Sequence, residues 1–152
     1  MDLNTLKLKV HQKCSHLAFT KIEGLKSELK SLQEAYNADI KSSVGDKYET
    51  GRSMIMLEKE KLVAQLRDAY KMKKALDLID LGKSVNKVSL GALVKESNNF
   101  YYFSANFGAL EIADVKVFAL STLSPLGQVM LNKTPGNSYK FRGTQGIIKE
   151  VL

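Results

Sequence analysis

The stretch AFTKIEGLKSELKSLQEAY, residues 18–36, sets Ala18, Ile22, Leu25, Leu29, Leu32 and Tyr36 at alternating spacings of four and three. That is the apolar stripe of a heptad helix, and it needs a partner to cover it. A second stripe follows it: Ile55, Leu62, Ala69 and Leu76 recur every seven residues, with Leu66 at one intervening position and Lys59 and Lys73 at the others. Two such helices joined by a short turn fold back as an antiparallel hairpin, each burying the stripe the other cannot bury alone. At about 1.5 Å per residue the second helix, from Thr50 to Ile79, spans about 45 Å, so the hairpin is expected to be a long arm. Residues Met1 to Lys21 read as a helical extension of it.

The pattern changes at Gly82. NKVSLGALVKE, NFYYFSA, ALEIADVKVFAL and SYKFRGTQGIIKEV are rich in β-branched and aromatic residues and punctuated by Gly and Asn, which predicts a small, mostly antiparallel sheet. Between them, Pro125 to Leu131 predicts one short helix, with Ser124 as its N-cap and Pro125 in its first position. The expected fold is therefore α+β: an antiparallel coiled-coil hairpin over residues 1–81, then a β domain with one short helix over 82–152.

Composition narrows the partners. The 23 Lys and Arg against 16 Asp and Glu leave a charge of +7, which favours encounter with polyanions. That surplus is divided between the two parts, 15 basic against 12 acidic residues over 1–82 and 8 against 4 over 83–152, so neither part is basic enough to bind nucleic acid on charge alone. There is no run of about 20 apolar residues and no apolar signal core near the start, so a cytoplasmic protein without a membrane partner is expected. The single cysteine, Cys14, fits a reducing compartment.

Phosphate-binding glycine loops, His-Glu-x-x-His, Gly-x-Ser-x-Gly and Cys-x-x-Cys are all missing, which removes the enzymes that need them. In HQKCSH, His11 and Cys14 could share a helix face, but His16 points away on a regular helix; the three read as scattered surface residues with one half-buried thiol. NNFYYFSANF could stack nucleobases, but no basic residue stands among its aromatics, and a packed strand is the preferred reading.

Between the two helices lies GDKYET, residues 45–50, with Asp46 and Glu49 three apart. One reading is a capping box with Asp in place of Ser or Thr, favoured by the helix dipole. The other is a pair of carboxylates at the end of an arm that could share a hard cation such as Mg²⁺; two carboxylates hold Mg²⁺ weakly, so this reading requires further acids supplied by a partner.

The chain resembles the bacterial transcript cleavage factors of the GreA/GreB family. The resemblance rests on the Gly45-Asp46-x-x-Glu49 tip, on Val88-x-x-Gly91-Ala92-x-Val94, and on Ser124-Pro125-Leu126-Gly127 continuing to Met130, Leu131, Lys133 and Gly136, in matching order across about residues 22–152. It implies a coiled coil that enters the secondary channel of RNA polymerase and an FKBP-like domain that grips the channel's rim. It further implies that Asp46 and Glu49 act catalytically, by helping to hold the second Mg²⁺ of the polymerase site and orienting the water that hydrolyses the 3′ end of backtracked RNA. Lys41, Lys47 and Arg52 would face that RNA, and Ser121, Leu123, Ser124 and Pro125 would contact the polymerase. By the same implication the chain is an accessory factor to the polymerase's own cleavage, an elongated monomer, with no stably bound cofactor. Family tips commonly continue Asn-Ala-Glu-Tyr after the Glu, where this chain has Thr50, Gly51, Arg52 and Ser53. Two alternatives follow: a channel regulator that does not cleave, and a coiled-coil scaffold for another protein.

Overall fold

The computed structural model describes residues 1–42 and 49–152. Helix α1 runs Leu3–Ser42 and helix α2 runs Glu49–Asp77; strands β1 (Leu93–Glu96), β2 (Asn99–Phe103), β3 (Gly108–Ile112) and β4 (Val115–Leu120) follow, then α3 (Pro125–Met130), β5 (Ser138–Phe141) and β6 (Thr144–Val151). This is the expected α+β order, two long helices and then a sheet with one short helix. The chain forms two compact units, Leu17–Lys71 and Met1–His16 together with Met72–Leu152.

In the unit Leu17–Lys71, the predicted stripes meet. Ile22, Leu25, Leu62 and Ala69 form a buried cluster, with Leu29, Leu32 and Leu66 packed against it. The helices are antiparallel: Lys26 Nζ lies 6.0 Å from the Tyr70 ring, Lys59 Nζ donates to Gln33 Oε1 at 2.9 Å, and Gly51 faces Asp39. Positions thus fall along α1 as they rise along α2. At the first polar position of the second seam, Gln33 Oε1 accepts the hydrogen bond of the half-covered Lys59.

In the other unit, six strands form a sheet in the order β3-β4-β2-β1-β6-β5. All neighbours are antiparallel except β2 and β4, which run parallel with Tyr101 opposite Phe118. Two stretches that each read as strand-forming turn out to be hairpins. ALEIADVKVFAL reverses at Ala113 and Asp114 (φ 47° and 65°), and SYKFRGTQGIIKEV reverses at Arg142 and Gly143 (φ 50° and 78°). Two successive left-handed residues match the twist of the flanking strands in a tight hairpin.

One face of this sheet carries the core Val94, Phe103, Leu120, Tyr139 and Ile148, closed by Met130 of α3. The start of α1 belongs to the same unit: Leu6, Val10 and Cys14, four residues apart, are all buried. His11 Nδ1 is 2.7 Å from the hydroxyl of the fully buried Tyr102, and Lys7 Nζ donates to the Leu152 main-chain oxygen at 3.0 Å. The reading of HQKCSH as surface residues is corrected here. Of the three, His16 alone is exposed, His11 is engaged with the sheet, and Cys14 is fully buried, because the stripe seen from Ala18 onward begins twelve residues earlier at Leu6. Burial pushes the Cys14 thiol up to about 11, which leaves it protonated and inert at neutral pH.

Candidate functional site

Two places hold the residues singled out from the sequence. At the tip, Asp46 and Lys47 lie outside the described residues, as does the middle of the capping-box reading. Glu49 is the first residue of α2. Lys41 is exposed in the last turn of α1, and Arg52 is half-buried one turn into α2. Arg52 lines an open cavity of about 620 Å³ with Tyr36, Ser53, Met56, Leu57 and Glu60, so both helices contribute to this recess. Among the described residues no three His, Cys, Asp or Glu side chains gather as a metal site.

The second place is the turn into α3. The Ser121 oxygen accepts from Ser124 N at 3.1 Å and from Ser124 Oγ at 2.7 Å, while Ser124 Oγ accepts from Gly127 N at 3.1 Å, the expected N-cap. Ser121 N in turn donates to Asn106 Oδ1 at 2.8 Å, and Ser121 Oγ accepts from Leu123 N at 3.1 Å. Gly127 is dictated by this arrangement. A β-carbon there would sit 2.1 Å from the Ser121 oxygen and 2.8 Å from Ser124 Oγ. The knot of bonds displays Leu123, which is 79% exposed, while Gln128 Nε2 donates to its carbonyl at 3.1 Å. Burying a leucine held out on an ordered turn would be worth about 1.5–3 kcal/mol. The structure thus brings Ser121, Leu123, Ser124 and Pro125 together on one turn.

Beside that turn lies a cavity of about 420 Å³ that the sequence reading missed. Tyr101, Phe118 and Phe141 line it, with Pro125 and Leu126 of α3, Asn106 and Arg142. The rings of Tyr101 and Phe118 stack at 5.7 Å and 27°. Phe141 comes from the opposite edge of the sheet, so the sheet curls to enclose the space. Lys116 Nζ stands 4.9 Å from the Phe118 ring centre and the Arg142 guanidinium 5.0 Å from that of Phe141. The visible signal was the aromatic residues of these strands; what could not be seen was that the fold brings Tyr101, Phe118, Phe141 and Arg142 to one cavity.

No protein-family model matches the chain, and no curated protein matches it. Among solved structures it is similar to one described as the structure of the transcription factor Gfh1, at 14% identity over 90% of this chain and 92% of that one, with a TM-score of 0.38. A likeness of that degree carries no weight for fold or activity. No described helix is long and apolar enough to cross a membrane.

Proposed function

We propose that this chain is a Gre-like transcription factor that places the tip of its helical hairpin in the secondary channel of RNA polymerase and stimulates cleavage of backtracked RNA. The observation that carries the reading is the ordered Ser121–Leu126 turn, where a motif resembling the family's polymerase-binding segment sits on a built scaffold, with an exposed Leu123 in place of the polar residue usual before Ser-Pro. The antiparallel pairing of α1 and α2 supports it, because in the sequence GDKYET stands between the two paired helices.

Asp46 and Glu49 then add two carboxylates to a hard cation already held by the polymerase's own acids. Such a second metal stabilises the attacking and leaving oxygens of hydrolysis. Lys41, Lys47 and Arg52 offset the phosphate charge of the RNA, and the Ser121–Pro125 turn holds the factor on the polymerase. The protein is an accessory factor and acts in the cytoplasm as a monomer.

The test uses stalled, backtracked elongation complexes with labelled RNA. Wild type releases short 3′ fragments, while Asp46→Ala and Glu49→Ala each abolish release and retain binding. A second reading, a channel regulator without cleavage, is favoured by Thr50-Gly51-Arg52-Ser53 where family tips carry an acid and an aromatic. Polymerase binding without fragments selects it, and absence of binding overturns both.

A further inference from the structure

The hairpin of α1 and α2 carries a second stripe that its own seam does not bury. On α1 the residues following Ala18, Leu25 and Leu32 are Phe19, Lys26 and Gln33; on α2 those following Ile55, Leu62 and Ala69 are Met56, Val63 and Tyr70. Both sets recur every seven residues, so each forms a line along its helix beside the buried seam. They share one flank of the hairpin, because Lys26 Nζ lies 6.0 Å from the Tyr70 ring and Gln33 Oε1 accepts from Lys59. The four apolar members, Phe19, Met56, Val63 and Tyr70, are 38–59% exposed. The other flank, apart from Met54, is shallow and acidic, with Gly24, Ser31 and Ala35 beside Glu28 and Glu58. Helices that are apolar at a third heptad position are those that pack against more than one neighbour.

Spacing and charge select the neighbour. Seven residues at about 1.5 Å each set the exposed side chains about 10.5 Å apart, a spacing that another helix repeats with its own heptads. An extended segment covers that distance in about three residues, an odd number that turns every second side chain away. Lys30 lies four residues after Lys26 and Arg67 four after Val63, so both border this flank, and both fall between the Lys26–Tyr70 and Gln33–Lys59 contacts. Neither has a carboxylate within ion-pair distance among the described residues, while the border acid Glu23 is 3.6 Å from Lys26. A second copy turned about a two-fold axis would set Lys30 and Arg67 against the same two cations. Nucleic acid would meet the cations but leave Met56 and Val63 unmatched.

We infer that this flank docks an amphipathic helix of a partner protein, its apolar stripe against Phe19, Met56, Val63 and Tyr70 and its acidic residues against Lys30 and Arg67. The inference stands apart from the proposed polymerase role, since its test contains no polymerase.

The probe is a fluorescein-labelled, three-heptad peptide with Leu at its two seam positions and Glu beside them, titrated with the full chain at low salt, where charge pairing is strong. Saturable binding is expected, with a gain in helical circular dichroism. The same peptide with Lys in place of Glu should bind at least about tenfold more weakly. Val63→Asp and the double change Lys30→Glu with Arg67→Glu should each weaken binding of the acidic peptide about tenfold, whereas Ser31→Asp on the other flank should leave it unchanged. All four positions are exposed, so circular dichroism of the free variants should match wild type. The inference is overturned if the acidic peptide does not saturate, if the Lys peptide binds as well, or if Val63→Asp has no effect. It is equally overturned if an oligonucleotide displaces the acidic peptide more effectively than unlabelled peptide, which would make the flank a polyanion site. Sedimentation supplies the last arm: a wild-type dimer that Val63→Asp dissociates would make a second copy the occupant and overturn the inference as well.

Discussion

At the scale of single residues, Gly127 shows how a motif letter becomes a physical requirement. Its missing side chain lets the Ser121 oxygen approach the first turn of α3, where a β-carbon would lie 2.1 Å away. That oxygen belongs to the backbone and has no flexible end to move aside. Gly127→Ala should therefore cost about 1–3 kcal/mol or more, read as a lower urea midpoint, and loosen the turn that displays Leu123. His11 offers a second test at this scale. Burial holds its imidazole below the usual 6.5, with Lys7 acting in the same direction and Asp77 against it. On acidification the unfolded chain takes up the proton first. Stability that is complete above pH 6.5 is thus lost as the pH falls below it, and His11→Gln should flatten that part of a denaturation profile.

At the scale of elements, the hairpin rests on few large side chains. Leu62 is 4% exposed in the cluster with Ile22, Leu25 and Ala69, so truncating it leaves a cavity in the seam. Leu62→Ala should cost about 2–5 kcal/mol, visible as a loss of helical circular dichroism at lower temperature. Lys59→Ala should cost less, because it removes a polar contact from a half-covered position. The hairpin was legible in the sequence because heptad spacing is local and repeats. The helix cap at Ser124 was legible for the same reason. The α1–sheet contact was not: Leu6, Val10 and Cys14 show one apolar residue per turn, and the residue that identifies their environment, Tyr102, stands 91 positions from His11. Nor was the reversal at Ala113, since alanine at φ 47° is set by strand pairing and runs against its own preference. The cavity was illegible because a curled sheet joins β4 to β5, a distance that pattern reading does not span.

At the scale of the whole molecule, the proposed function separates into docking and chemistry, carried by residues far apart in the chain. Leu123 is mostly exposed and contributes little to the fold, so Leu123→Asp should change unfolding stability by less than about 0.5 kcal/mol. If the turn is the anchor, the same change removes a buried apolar contact from the complex and sets a charge in its place. Affinity for RNA polymerase should fall by at least about tenfold, measured by competition against the wild-type chain. Asp46→Ala should do the reverse, binding normally while releasing no RNA fragments. Raising the concentration of the Leu123→Asp chain should then restore cleavage, because its tip is intact, whereas no concentration of the Asp46→Ala chain should do so. A mixture of the two mutant chains discriminates further. If docking and cleavage must reside in one molecule within the channel, excess Asp46→Ala chain excludes the weak binder and suppresses its activity. Fragment release that instead rises in the mixture would mean that the two regions act from separate molecules, and the single-chain insertion proposed for this protein would fail.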